Sequence, residues 1–110
     1  MFPNPFKRIE RLAEKKNTVT LLSMLHDSRE TVRLAAIRAL GWCVDDDAFN
    51  ALAPLLHASE SSVRRTAALA LGDMGRPDGR ACIERQMRVE KDEQVLSAMR
   101  VALCRRKIAP

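Results

Sequence analysis

Apolar residues recur along this chain with the period of a helix, and the pattern itself repeats. Val32, Ala35, Ala36, Ala39 and Leu40 fall at i, i+3, i+4, i+7 and i+8, one stripe of an α-helix. Val63, Thr66, Ala67, Ala70 and Leu71 reproduce it 31 positions on, and Val95, Ala98, Met99, Ala102 and Leu103 after a further 32. Upstream of each stripe lies a shorter ridge: Leu21 and Leu25, Leu52 and Leu56, Ile83 and Met87. Each unit therefore predicts two helices. Alternation of period two is absent and alanine is abundant, so strands are not expected.

Turn chemistry suggests boundaries. Asn17, Asp47 and Asp78 are expected to cap the first helices, and Asp27 or Ser28, Ser59 and Asp92 the second, because their side chains accept from free backbone N–H groups. Gly41 and Gly72 are expected to end second helices in a left-handed conformation. Pro54 falls inside a first helix, near enough to its start to be accommodated by local distortion. Before the first unit, Phe6, Ile9, Leu12 and Ala13 form the apolar face of one more helix.

A period of about 31 residues is that of a solenoid. The expected architecture is all-α: a right-handed α-α superhelix of three helix pairs in one domain over 1–110. A capping helix spans 5–16, and the repeats span 17–46, 47–77 and 78–110. The cap covers one end of the stack, and Arg105-Arg106-Lys107 gives the other a polar finish.

Composition narrows the chemistry. No apolar run is long enough to span a membrane, and the N-terminus lacks a signal-peptide core. Cys43, Cys82 and Cys104 are odd in number and widely spaced, which argues against a disulfide framework or zinc site and fits a reducing cytoplasm; all three read as small core hydrophobes. The net charge is +5, and residues 61–110 carry eleven basic against six acidic side chains. Such an excess suits a solvated surface, an acidic protein face or nucleic acid.

The frame Val32-Arg33-Leu34-Ala35-Ala36-Ile37-Arg38-Ala39-Leu40-Gly41 and its copy Val63-Arg64-Arg65-Thr66-Ala67-Ala68-Leu69-Ala70-Leu71-Gly72 resemble HEAT-like repeats of the phycobilisome lyase type. Gly72-Asp73-Met74-Gly75-Arg76-Pro77-Asp78 resembles that family's linker, and the resemblance covers roughly residues 17–104. It implies an Asp-to-Arg ladder between repeats, which only Asp27 and Arg33 retain in full. It also implies that the second helices line a concave face, on which Arg33, Ile37, Arg38, Arg64, Arg65, Leu69 and Arg100 form a surface of arginines beside aliphatics.

Arginine pairs carboxylates bidentately, so a protein or peptide partner, acidic or mixed, suits that surface. Trp42 either packs over a turn or anchors the partner. The alternative is backbone contact with nucleic acid through Arg64, Arg65, Arg85, Arg88, Arg100, Arg105 and Arg106, without aromatic stacking. A lyase-like or accessory role rests on resemblance alone. Self-association through the solenoid ends would cover Leu96, Val101 or Ile108.

No enzymatic constellation emerges, and no cofactor or metal is expected. His26 and His57 occupy equivalent positions but are too far apart for shared ligation, and read as helix-end residues. Asp45-Asp46-Asp47 reads as a helix-start cluster rather than a cation loop.

Overall fold

Asn4 heads the first helix: its Oδ1 accepts the Phe6 N–H at 2.9 Å, and Pro5 supplies a φ already suited to a first turn. The structure is a computed structural model and describes residues 4–104. Among them it contains seven α-helices and no strand: α1 Pro5–Glu14, α2 Thr18–Ser23, α3 Glu30–Leu40, α4 Asp46–Leu52, α5 Ser61–Met74, α6 Pro77–Met87 and α7 Glu93–Cys104. α2 and α4 tighten into 3-10 turns over Met24–His26 and Ala53–His57. Pro54, which lacks the N–H an α-helix would use, lies in the second of these. The first tightens without a proline, so proline is not the sole cause.

The helices form the α-α solenoid of pairs that the repeat predicts. α1, α3, α5 and α7 lie side by side in one layer. α2, α4 and α6, with the two 3-10 turns, pack against them as a second layer. The body is a slab of 46 × 36 × 19 Å, and its least dimension is about two helix diameters. Leu21, Leu40, Leu52, Leu56, Leu71 and Ile83 are fully buried in one core. Each contributes about 1.5–3 kcal/mol of burial before entropy is counted. Few aromatics are needed, because alanine-rich helices approach closely.

That closeness explains the glycines. Gly41 has φ −63° and Gly72 lies inside α5, so neither is a left-handed stop. A Cβ on Gly41 would stand 2.6 Å from the Ala70 carbonyl oxygen, and one on Gly72 would stand 2.7 Å from the Ala102 Cβ. These glycines let α3 touch α5, and α5 touch α7, backbone to backbone. The left-handed stop is Gly75, at φ 71°, three residues beyond Gly72. Gly72-Asp73-Met74 is accordingly helical, and the connection into α6 is only Gly75 and Arg76.

Caps also differ from expectation at several ends. Asn17 and Asp92 do cap, accepting from Thr20 N–H and from the Gln94 and Val95 N–H groups. The α4 cap is Asp45 rather than Asp47; its Oδ1 accepts the Ala48 N–H at 2.9 Å. α6 starts from Arg76, leaving Asp78 in the first turn. α3 and α5 start from Arg29 and Glu60 without a side-chain cap, so Asp27, Ser28 and Ser59 stand outside the capping position. Of the cysteines, only Cys43 belongs to the core; Cys82 is half-buried and Cys104 exposed.

Candidate functional site

Each second helix has more than one covered side, and this decides which candidate residues a partner can reach. Ile37 and Gly41 are one turn apart, and Gly41 meets α5; Ala68 and Gly72 stand in the same relation to α7. Ile37 is 4% exposed and Ala68 fully buried. Ile37 therefore leaves the candidate surface: it packs between helices of the same layer. Arg100 occupies the register of Ile37 and Ala68 in α7, where no described helix follows, and it is exposed. It belongs to the open flank of α7, together with half-buried Leu96 and exposed Cys104. Its nearest acid is Glu93, at 3.7 Å.

Arg33 and Arg64 have a structural task. Arg33 Nη1 donates to the carbonyls of Asp27 and Ser28 at 2.9 and 3.1 Å. Arg64 Nη1 does the same to Ala58 and Ser59, both at 2.9 Å. Each guanidinium thus ties its own helix to the turn before it. Arg64 also grips Glu90 of the following pair, Nε to Oε1 at 2.9 Å and Nη2 to Oε2 at 3.1 Å. That side chain of Glu90 is only 3% exposed, and the guanidinium holds its carboxyl below the ordinary 4.5. The expected Asp27–Arg33 side-chain rung is absent. Asp27 pairs instead with Arg29 at 3.0 Å, whose hydrogen bonds hold its carboxyl at about 2.

Other bridges join neighbouring pairs. Arg38 Nε lies 3.0 Å from Asp73. Arg76 reaches Asp46 at 2.9 Å and the Val44 carbonyl at 3.1 Å, pairs with Asp78, and lies over the Phe49 ring at 4.7 Å. Asp45, beside it, accepts from Thr18 Oγ1 at 2.6 Å, which lowers its carboxyl from the ordinary value, helped by the Ala48 N–H. The acidic triplet is thus a helix-start cluster.

On the face of the second-helix layer turned away from the core, burial and helical register leave Leu34 and Arg38 on α3, Arg65 and Leu69 on α5, and Ser97 and Val101 on α7. Among the described residues, no acidic group pairs with Arg65, which is exposed. Val101 is 47% exposed. At the α1 end, Trp42 is 60% exposed and lines a depression of about 300 Å³ with Glu10, Ala13, Glu14 and Lys16. Lys16 Nζ donates to its carbonyl at 3.0 Å. The indole is therefore open to solvent rather than folded over a turn.

Of the arginines considered for nucleic acid, Arg64 is held by Glu90, while Arg105 and Arg106, like Lys107 and Ile108, lie outside the described residues. Arg85 on α6 and Arg88 just past its end are exposed, in the other layer. Sequence reasoning missed Glu90, Asp73 and Gln86. For Gln86 a signal existed: it is a polar residue in a column that holds Met24 and Leu55 in the earlier copies.

His26 and His57 each end a 3-10 turn. Among the described residues no three His, Cys, Asp or Glu side chains are grouped to hold a metal ion, and no helix is long and apolar enough to cross a membrane. The family model for HEAT repeats matches residues 18–104. No curated protein and no solved structure matches the chain.

Proposed function

The chain belongs to the HEAT repeat family, and we propose that it is a non-enzymatic scaffold holding a segment of a protein partner across the outward face of α3, α5 and α7. HEAT repeats are generally protein-interaction scaffolds. The observation that carries the reading to this face is Arg65, an exposed arginine without an acidic partner among the described residues, one turn from half-buried Leu69. An arginine fork beside aliphatic surface suits a segment that combines carboxylates with apolar side chains. Trp42, at the α1 end, supplies a rigid aromatic for the same partner. The short-repeat subtype is part of this reading, without lyase chemistry. Three thiols free of disulfides support a reducing, cytoplasmic setting.

The test is affinity capture with quantitative mass spectrometry, using the intact chain and an Arg65→Glu, Val101→Asp variant. Both positions are exposed, so the helical melt should be kept while captured partners are lost. An Arg88→Glu control, in the other layer, should keep them. Unchanged capture by the double variant would overturn this face.

A further inference from the structure

The first-helix layer carries a surface groove. Where the 3-10 end of α4 meets helix α6 lies a depression of about 560 Å³, with Ala53, Pro54 and exposed Val89 as its apolar side. A second depression of about 360 Å³ continues it toward Ala58 and Lys91, and His57, Gln86 and Val89 line both.

Gln86 is the unusual member. It is 8% exposed, yet among the described residues nothing hydrogen-bonds its side-chain amide. Among the described residues no fully buried side-chain nitrogen or oxygen lacks a partner, so the amide atoms look into the groove. Met24 and Leu55 fill the equivalent column, so the core does not require an amide there. The amide atoms are therefore wetted by the groove rather than sealed in the core, and a ligand group that offers both a donor and an acceptor can take the place of that water.

Two chemistries define the ligand. The amide offers one acceptor, Oε1, and donors on Nε2, side by side. A peptide group matches both at once, whereas a phosphodiester has no donor for Oε1. The charged ends of the groove are basic. Arg85 spends Nη2 only on Cys82 Sγ, a weak acceptor, at 3.3 Å, and Lys91 is exposed. Glu90, the acid lining the groove, is already neutralised by Arg64. No Phe, Tyr or Trp lines either depression, which leaves His57 as the single ring on which a base could stack.

We infer that this groove binds an extended acidic segment of a protein partner. Gln86 pairs with one of its peptide groups, Pro54 and Val89 receive an aliphatic side chain, and Arg85 or Lys91 takes a carboxylate. The site lies in the opposite layer from the face carrying Arg65 and stands independently of that reading.

The probe is N-acetyl-leucyl-aspartate amide, titrated to millimolar concentration into the ¹⁵N-labelled full chain. Saturable movement of the Gln86 side-chain amide signals and of backbone amides in 82–90 is expected. Gln86→Leu repeats the residue of the preceding copy, so the fold should persist while affinity falls about tenfold or more. Arg85→Glu should weaken the aspartate probe and favour its lysine counterpart. The inference is overturned if Gln86 does not respond, or if the lysine probe binds the parent chain as well. It is equally overturned if inorganic phosphate or a short oligonucleotide saturates the same signals. Movement of those signals with protein concentration alone would place a second copy in the groove and also overturn it.

Discussion

Replacing Gly72 by alanine places a methyl carbon 2.7 Å from the Ala102 Cβ and 2.8 Å from its Cα. Carbon atoms rest at about 3.5–4.0 Å, so α5 and α7 must separate by about 1 Å along their shared face. Overpacking of this kind costs about 1–3 kcal/mol. Against it stands the helix propensity of alanine over glycine, up to about 1 kcal/mol in a helix interior. Because the clash is with the Ala102 Cβ and Cα, which no rotamer moves, the steric term wins. A net loss centred on about 1 kcal/mol is expected, lowering Tm by about 4–8 °C at this size. Gly79→Ala is the control. Its methyl would meet only Leu71 Cδ2 at 3.5 Å and Phe49 at 3.7 Å, ordinary contacts. There propensity is unopposed, and a gain of about 0.5–1 kcal/mol is expected. Thermal and urea melts by circular dichroism measure both. Gly72→Ala melting at or above the parent temperature would refute the close-approach argument.

Glu90→Gln should flatten the acid limb of the stability curve. The folded carboxyl is depressed by Arg64, so its contribution is complete above the unfolded value of about 4.5 and is lost as pH falls through the lower folded value. Urea midpoints from neutral pH to pH 3 would reveal it, and an unchanged acid slope would contradict the pairing. Asp45→Ala removes both the Ala48 cap and the Thr18 bond, and should cost about 1 kcal/mol, measured by the same melts. Trp42 should be quenched by acrylamide nearly as readily as free tryptophan, because it is 60% exposed; strong protection would contradict its placement. Oligonucleotide retention on filters should vanish at physiological salt, because Arg64 is held by Glu90 while Arg85 and Arg88 stand in the opposite layer from Arg65, so the exposed arginines form no single track; persistent retention would restore the nucleic-acid reading.

The second helices were visible in the sequence because a 3.6-residue stripe recurred at a fixed offset. Two independent periodicities rarely agree by accident. Ile37 escaped because periodicity identifies one buried stripe, whereas a helix inside a layer is also covered by its same-layer neighbours. Gly41 and Gly72 misled because glycine serves two physical ends, a left-handed turn and a close approach, and only a neighbour's coordinates separate them. Where several capping residues stand in a row, as at Asp45-Asp46-Asp47, local chemistry cannot choose among them. The Arg64–Glu90 grip spans 26 positions and leaves no local trace. Gln86 was readable by comparing columns across copies, since one polar residue interrupts an apolar column.

The backbone contacts at Gly41 and Gly72 give the slab unequal stiffness on its two sides. Along α3, α5 and α7 the chains are already touching and can scarcely compress. Along α4 and α6 the layer is grooved at its surface. Under load such a strip is expected to flex about its incompressible side, like a watch strap about its pins, with the strain collecting in the grooved layer. Anything wedged between α4 and α6 would then reset the curvature of the whole strip. Small-angle scattering would register that as a change in its 46 Å long dimension, with no helix gained or lost.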